Sequence, residues 1–176
     1  MEKYFIQDRE AGNIIDEYAT LAEAHAALEA FEAEDEKNGA YKPEFYEIKG
    51  VRESYVVSKD DHTMIATKAY RRYASIPDAL NDDDAFFNHD GDRFQKKIAE
   101  FVTLEDAEKY ATEKALTLKR GTEHGVFTTL RLEWLGIEHV KYDLDEDGDV
   151  VDEECESMGV YFPPKVENVD TEEDAE

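Results

Sequence analysis

The sequence predicts an α+β fold of repeated strand–turn–strand–helix units, with antiparallel sheets and helices packed on one face. Three observations predict it. One short pattern occurs three times, as Tyr18-Ala-Thr20-Leu21-Ala-Glu23-Ala24, Tyr73-Ala-Ser75-Ile76-Pro-Asp78-Ala79 and Phe101-Val-Thr103-Leu104-Glu-Asp106-Ala107. Its form, an aromatic residue, then Thr or Ser, then an acid three positions on, is that of a strand running into a capped helix. Around these copies lie segments of period-two alternation, and after two of them apolar stripes of helical period.

Taken in chain order, Tyr4 to Gln7 and Asn13 to Ala19 read as strands flanking a turn at Ala11-Gly12. Thr20 is the N-cap of the first helix, whose stripe is Leu21, Ala24, Leu28 and Phe31, and Asn38-Gly39 ends it. Glu44 to Val51 follows as a strand. Ser54 to Lys59 and Thr63 to Tyr70 read as a second strand pair about a turn at Asp60-Asp61-His62. Ser75 caps a shorter helix with Pro77 in its first turn, where a missing amide hydrogen costs nothing. Phe94 to Val102 leads into the third helix, with stripe Leu104, Ala107, Ala111, Ala115 and Leu118, closed by Arg120-Gly121. Val126 to Leu135, Ile137 to Leu144 and Asp149 to Cys155 complete the strands. In each copy the acid, Glu23, Asp78 or Asp106, is placed to reach back to its cap and to favour the helix dipole. The organisation expected is a ββαβ unit over 1–52, a ββα unit with an acidic loop over 53–93, a βαβββ unit over 94–164, and a disordered acidic tail over 165–176.

Charge narrows the function. The chain has 45 acids and 20 bases in 176 residues, a net charge of −25. Such a surface repels nucleic acid and anionic membrane and attracts basic surfaces, and its self-repulsion should make stability rise with salt. A soluble domain of this size needs far less charge for solubility alone. Residues 141–176 hold 15 acids and two lysines, so half the excess sits in the last fifth of the chain. The small basic groups, Lys68 with Arg71-Arg72 and Lys96-Lys97, are surrounded by acids and make no nucleic-acid footprint. Cys155 is the only cysteine, and no basic leader or membrane-length apolar run is present, so a cytoplasmic protein is expected.

The densest local pattern is Asp143-Leu-Asp145-Glu146-Asp147-Gly148-Asp149-Val-Val-Asp152-Glu153-Glu154. It resembles the twelve-residue calcium loop of the EF-hand family, with Asp143, Asp145, Asp147, Asp149 and Glu154 as oxygen ligands. An EF-hand needs a helix on each side, whereas Phe127 to Trp134 and Ile137 to Tyr142 alternate as strands do. Gly148-Asp-Val-Val-Asp152-Glu153 also parallels Gly12-Asn-Ile-Ile-Asp16-Glu17, which follows no ligand array. The expectation is therefore an acidic β-hairpin turning at Asp147-Gly148, with no metal and no cofactor, and with calcium in the same loop as the alternative.

A second cluster runs from Asp82-Asp83-Asp84 through His89-Asp90-Gly91-Asp92, of turn composition, with Phe86 and Phe87 as candidate anchors for a partner. The histidines His25, His62, His89, His124 and His139 form no ligand motif, and neither a nucleophile elbow nor a phosphate loop is present. Binding rather than catalysis is expected, through Asp143, Asp145, Glu146, Asp147, Asp149, Asp152, Glu153 and Glu154, together with Asp82, Asp83, Asp84, Phe86 and Phe87.

In charge, size and modular build the chain resembles the acidic antirestriction and anti-CRISPR proteins of phages and mobile elements. Its N-terminal run KYFIQDREAGNIIDEYATLAEA is similar to small uncharacterised proteins of Firmicutes mobile elements, over roughly the first 50 residues. The resemblance implies a nucleic-acid mimic that occupies the basic groove of a host defence nuclease. The partner expected is thus a basic protein surface, with no direct nucleic-acid or membrane contact. The alternative is a calcium-binding or structural interaction module built on the Asp143–Glu154 loop.

Overall fold

The computed structural model describes residues 2–66, 73, 75–83 and 94–167. Its elements are β1 (Glu2–Asp8), β2 (Ile14–Tyr18), α1 (Leu21–Asn38), β3 (Tyr46–Ile65), α2 (Ile76–Asn81), β4 (Phe94–Phe101), α3 (Leu104–Ala115), β5 (Arg120–His124), β6 (Thr128–Leu144) and β7 (Val150–Tyr161). Seven strands are hydrogen-bonded in the order β2-β1-β3-β6-β5, with β4 on β3 and β7 on β6. Among the described residues three helices pack on this open antiparallel arrangement, so the fold is α+β.

All three helix starts follow the repeated pattern. Thr20, Ser75 and Thr103 accept the backbone N–H of Glu23, Asp78 and Asp106, each at 3.2 Å. Only Glu23 closes the full capping box, its Oε2 taking the Thr20 N–H at 3.2 Å. Aspartate is one methylene shorter. Asp78 and Asp106 accept the cap hydroxyl instead, at 2.7 and 2.8 Å, so every acid reaches back to its cap residue but the bond to the cap's own N–H is made by the glutamate alone. The third helix stops at Ala115, earlier than expected, because Arg120 to His124 is drawn into β5 opposite Thr128 to Leu132.

Two strand assignments are corrected. Of the strand expected at 63–70, residues 67–70 lie outside the described residues; over 54–66 there is no hairpin about Asp60-Asp61-His62, and Glu44 to Val51 is not separate from this stretch. One strand, β3, runs from Tyr46 to Ile65. Its even-numbered positions from Ser54 to Met64 are buried, and Asp60 and His62 are among them. The charged triplet stays extended because Asp61 receives Arg131, with Nε at 2.9 Å and Nη2 on the second oxygen. The boundary expected between 52 and 53 consequently falls inside a strand. Likewise Gly136 does not divide 126–135 from 137–144, and β6 is continuous across it.

The described residues group into two compact units, one of 2–55 with 139–156 and one of those lying in 56–138 with 157–167. In the first, β1 pairs antiparallel with β2 and with β3, in the register Tyr4↔Tyr18 and Tyr4↔Gly50. Its core is Tyr4, Ile6, Ala24, Ile48 and Leu144, with Leu21, Leu28, Phe31, Tyr46 and Tyr142 packed around them. The first helix stripe thus lies on one face of the sheet, as its spacing requires.

In the second unit, Met64, Ala66, Ala79, Leu80, Leu130, Leu132 and Trp134 form the core, joined by Tyr73, Ile76, Phe162 and Val166. Phe162 lies obliquely against Trp134 at 6.1 Å between ring centres. Residue 166, expected in the tail, is held by Asn81, whose side chain bonds both the N–H and the C=O of Val166 at 2.9 Å. No helix among the described residues is long and apolar enough to cross a membrane.

Candidate functional site

The stretch 143–154 forms the end of β6, a tight turn, and the start of β7. The turn is closed by backbone bonds from Asp145 N–H to Asp149 O and from Gly148 N–H to Asp145 O, both 3.0 Å. Asp145 Oδ1 accepts the N–H groups of Asp147 at 3.0 Å and Asp149 at 2.9 Å, an aspartate capping the turn it begins. Gly148 has φ 84°, a left-handed conformation open to glycine at little cost. The expected acidic hairpin is therefore what the chain forms, with strands on both sides and no helix–loop–helix frame for a calcium loop.

The parallel with the N-terminal hairpin extends to geometry. Asp8 Oδ1 accepts the Ala11 N–H at 2.5 Å, Gly12 has φ 70°, and its N–H reaches Asp8 O at 2.9 Å. That bond to the Ala11 amide, with help from Asn13 and Gly12, holds the Asp8 carboxyl below its ordinary range in spite of burial. On the strands that follow, Asp16 Oδ1 takes the Glu17 N–H and Asp152 Oδ1 takes the Glu153 N–H, each at 2.9 Å. Both strands are exposed along nearly all their length and carry acids, the arrangement that keeps a strand edge from pairing with another chain.

The hairpin carboxylates are mostly unneutralised. Asp147, Asp149, Asp152, Glu153 and Glu154 are exposed, while Asp143 and Asp145 are half-buried. Lys141 stands 3.8 Å from Asp143 and 3.9 Å from Glu154, and Arg9 stands 3.8 Å from Glu146. His25 of α1 fixes the tip, its Nε2 lying 2.9 Å from Glu146 O across 121 residues of sequence. Among the described residues no three His, Cys, Asp or Glu side chains gather as a metal-holding group.

Beside the hairpin, the face of the first unit's sheet turned away from Tyr4 and Ile6 forms a concavity of about 580 Å³. Phe5, Gln7 and Arg9 of β1 and its extension, Glu47, Lys49 and Val51 of β3, and Ile14, Asp143 and Val151 line it. The register Phe5↔Lys49 and Gln7↔Glu47 places these side chains in cross-strand pairs. Gln7 Nε2 donates to Glu47 Oε1 at 2.5 Å, with Lys49 at 3.4 Å and Arg9 at 3.9 Å from the same carboxylate. The Gln7 bond, then those two cations, hold the Glu47 carboxyl below its ordinary range against the effect of burial.

Of the other candidate partner residues, Asp82 and Asp83 are used internally. Asp82 receives the Tyr73 hydroxyl at 2.6 Å, and Asp83 lies 2.7 Å from the buried Arg120. That guanidinium also bonds the carbonyls of Leu80 at 2.5 Å and Pro163 at 3.0 Å. These two aspartates are thus half-buried supports of the second unit rather than part of the acidic surface. Asp84, Phe86 and Phe87, and with them His89, Asp90 and Asp92, lie outside the described residues.

The sequence did not single out Phe5, Arg9, Ile14, Glu47, Val51 or Val151. The one signal, and for Ile14 and Val151 alone, was the doubled Gly-x-Φ-Φ-Asp-Glu run, which sets an exposed apolar pair after each turn. Comparison with protein-family models, with curated proteins and with solved structures returns no match to this chain.

Proposed function

We propose that the protein works by binding, and that its 143–154 hairpin is presented to the basic nucleic-acid-binding groove of another protein, with a host defence nuclease as the partner. The observation that carries this reading is the exposed hairpin itself, with eight carboxylates in twelve residues and no base among them. An antiparallel strand advances about 3.4 Å per residue, and a nucleic-acid strand carries one phosphate per about 3.4 Å of axis. Successive side chains alternate between the two faces of a strand, so Asp152 and Glu154 share one face about 6.8 Å apart, close to every second phosphate interval, with Glu153 on the other face. A net charge of −25 adds long-range attraction that speeds encounter with a basic cleft and weakens as salt rises.

The test is affinity capture and cleavage inhibition against RNA-guided and restriction nucleases, at about 50 mM and about 500 mM salt. Saturable binding at low salt, competitive with the nuclease's own nucleic acid and lost in the combined D147N, D149N, D152N, E153Q and E154Q variant, is the expected result. Absence of affinity for all of these nucleases at low salt would overturn the reading.

A further inference from the structure

The sheet of the first unit has two unlike faces. One is covered by α1 through Leu21, Ala24, Leu28 and Phe31. The other carries the 580 Å³ concavity, a volume within the range of ligand-binding clefts. Its floor is apolar at Phe5 and Val51, and at its two sides stand Ile14, 61% exposed, and Val151, 63% exposed. A protein with so polar a composition has no stability reason to hold aliphatic side chains open to water on opposite sides of one hollow.

Charge says what can cover them. Five carboxylates line the concavity, those of Glu47, Asp143, Asp145, Glu146 and Asp147, against Arg9 and Lys49. Both cations are already within ion-pair distance of Glu47, and Arg9 also of Glu146. The balance facing an incoming group is therefore negative. A second copy of this chain, itself at −25, would bring the same acids against these and be repelled.

We infer that this face seats a cationic amphipathic segment of the partner, whose lysine or arginine side chains meet the hairpin carboxylates while its aliphatic or aromatic residues cover Ile14, Val151, Phe5 and Val51. The inference rests on the binding reading above and gives that partner's contact a chemistry. The hairpin supplies attraction and the hollow supplies selection, because a segment with charge alone leaves the apolar residues wet. Lysine and arginine suit such a site doubly, since their methylene stems lie along apolar surface while the charged ends reach the rim.

The experiment uses the full chain and a short fluorophore-labelled peptide alternating Lys and Leu, followed by anisotropy at low salt. Two further peptides, alternating Lys and Ser or Glu and Leu, separate charge from apolar contact. The Lys–Leu peptide should bind about tenfold or more tightly than the Lys–Ser peptide, as burial of a few aliphatic side chains requires, and the Glu–Leu peptide should not bind. The I14T/V151T double variant should lose about tenfold for the Lys–Leu peptide and nothing for the Lys–Ser peptide. The matched double variant I15T/V150T alters neighbours that are 44% and 46% exposed but do not line the hollow, and it should bind as the parent does. Threonine keeps the branched shape that strands favour, and thermal melts of both variants verify the fold. Equal binding of the Lys–Leu and Lys–Ser peptides to the parent protein, or equal losses in the two double variants, would overturn the inference. No nuclease enters the titration, so a failed nuclease capture and a failed peptide titration are separate results.

Discussion

Asp145 and Asp149 close the acidic turn on each other twice: the Asp145 N–H donates to Asp149 O at 3.0 Å, and Asp145 Oδ1 accepts the Asp149 N–H at 2.9 Å. The same carboxylate oxygen takes the Asp147 N–H. Asp145 is therefore a structural member of the hairpin, whereas Asp147 beside it only contributes charge at its exposed side chain. Replacing Asp145 with Ala should lower stability by about 1.5–3 kcal/mol, the range for hydrogen bonds to a charged group. D145N keeps an acceptor oxygen and should lose less, and D147N should leave stability unchanged. Urea unfolding ranks the three, and amide exchange should quicken at 147 and 149 in D145A alone.

The close approach of Gly50 to Tyr4 is a second point where one atom decides the outcome. The two residues face each other across β1 and β3, and a Cβ at position 50 would stand 2.7 and 2.8 Å from Tyr4 ring carbons and 3.1 Å from Leu144 Cβ. Tyr4 cannot swing aside freely, since it is buried and its hydroxyl bonds Glu2, and burial with that bond pushes its pKa up to about 12. G50A should therefore cost about 1–3 kcal/mol through overpacking. Gly136, in mid-strand with nothing within 4 Å of its would-be Cβ, provides the control, and G136A should be neutral or stabilise by up to about 1 kcal/mol. Thermal denaturation of the two variants measures the contrast.

What could be read from sequence was whatever depends on neighbours in the chain. The three caps at Thr20, Ser75 and Thr103, the helix stop at Gly39 and the hairpin at Gly148 are local chemistry, and each stands where the pattern put it. The strand at 46–65 was hidden because Asp60-Asp61-His62 has turn composition. Arg131, 70 residues away, meets the Asp61 carboxylate and helps hold those residues inside a sheet. The candidate site divides in the same way. Its acids were visible as a charge run, but the hollow depends on the register of β1 with β3 and on β6 and β7, which no local window contains. Asp82 and Asp83 looked like their exposed counterparts in 143–154 until Tyr73 and Arg120 were seen to claim them.

Asn81 supplies a further test, because one side chain ties residue 166 to the second unit. Its amide group makes both bonds to the Val166 backbone, and Val166 packs against the core around Trp134. N81A should cost about 1–3 kcal/mol, since it leaves two half-buried backbone groups without these partners. A chain ending at Pro164 should lose a similar amount, and adding N81A to it should cost little more, because both remove the same contact. Chemical denaturation of the single, truncated and combined forms gives that cycle.

The buried carboxylate of Glu133 predicts how the protein fails in acid. Its side chain is 5% exposed and is met by Lys59 Nζ at 2.8 Å, Arg131 Nη2 at 3.0 Å and the Lys119 N–H at 2.9 Å. Burial alone would raise its pKa, but the Lys59 bond, the Lys119 amide and the two cations outweigh it and hold the carboxyl below its ordinary 4.5. Glu123 is held low in the same network by Arg131, whose own proton is secured by Asp61 and Glu123. A folded pKa below the unfolded value means that the stabilisation is complete above 4.5 and is lost as pH falls through the folded value. Glu47 and Asp8, also held low, add to the slope in the same direction. Stability should therefore hold from neutral pH down to about 5 and fall steeply below about 4.5. E133Q leaves Lys59 and Arg131 without their shared carboxylate, so it should cost about 2–4 kcal/mol at neutral pH. It should also flatten the fall in acid, because the proton that Glu133 takes up on unfolding below about pH 4.5 is no longer part of the transition. Urea midpoints of parent and E133Q from pH 7 to pH 3 check both effects, and parallel curves would show that Glu133 does not control the acid transition.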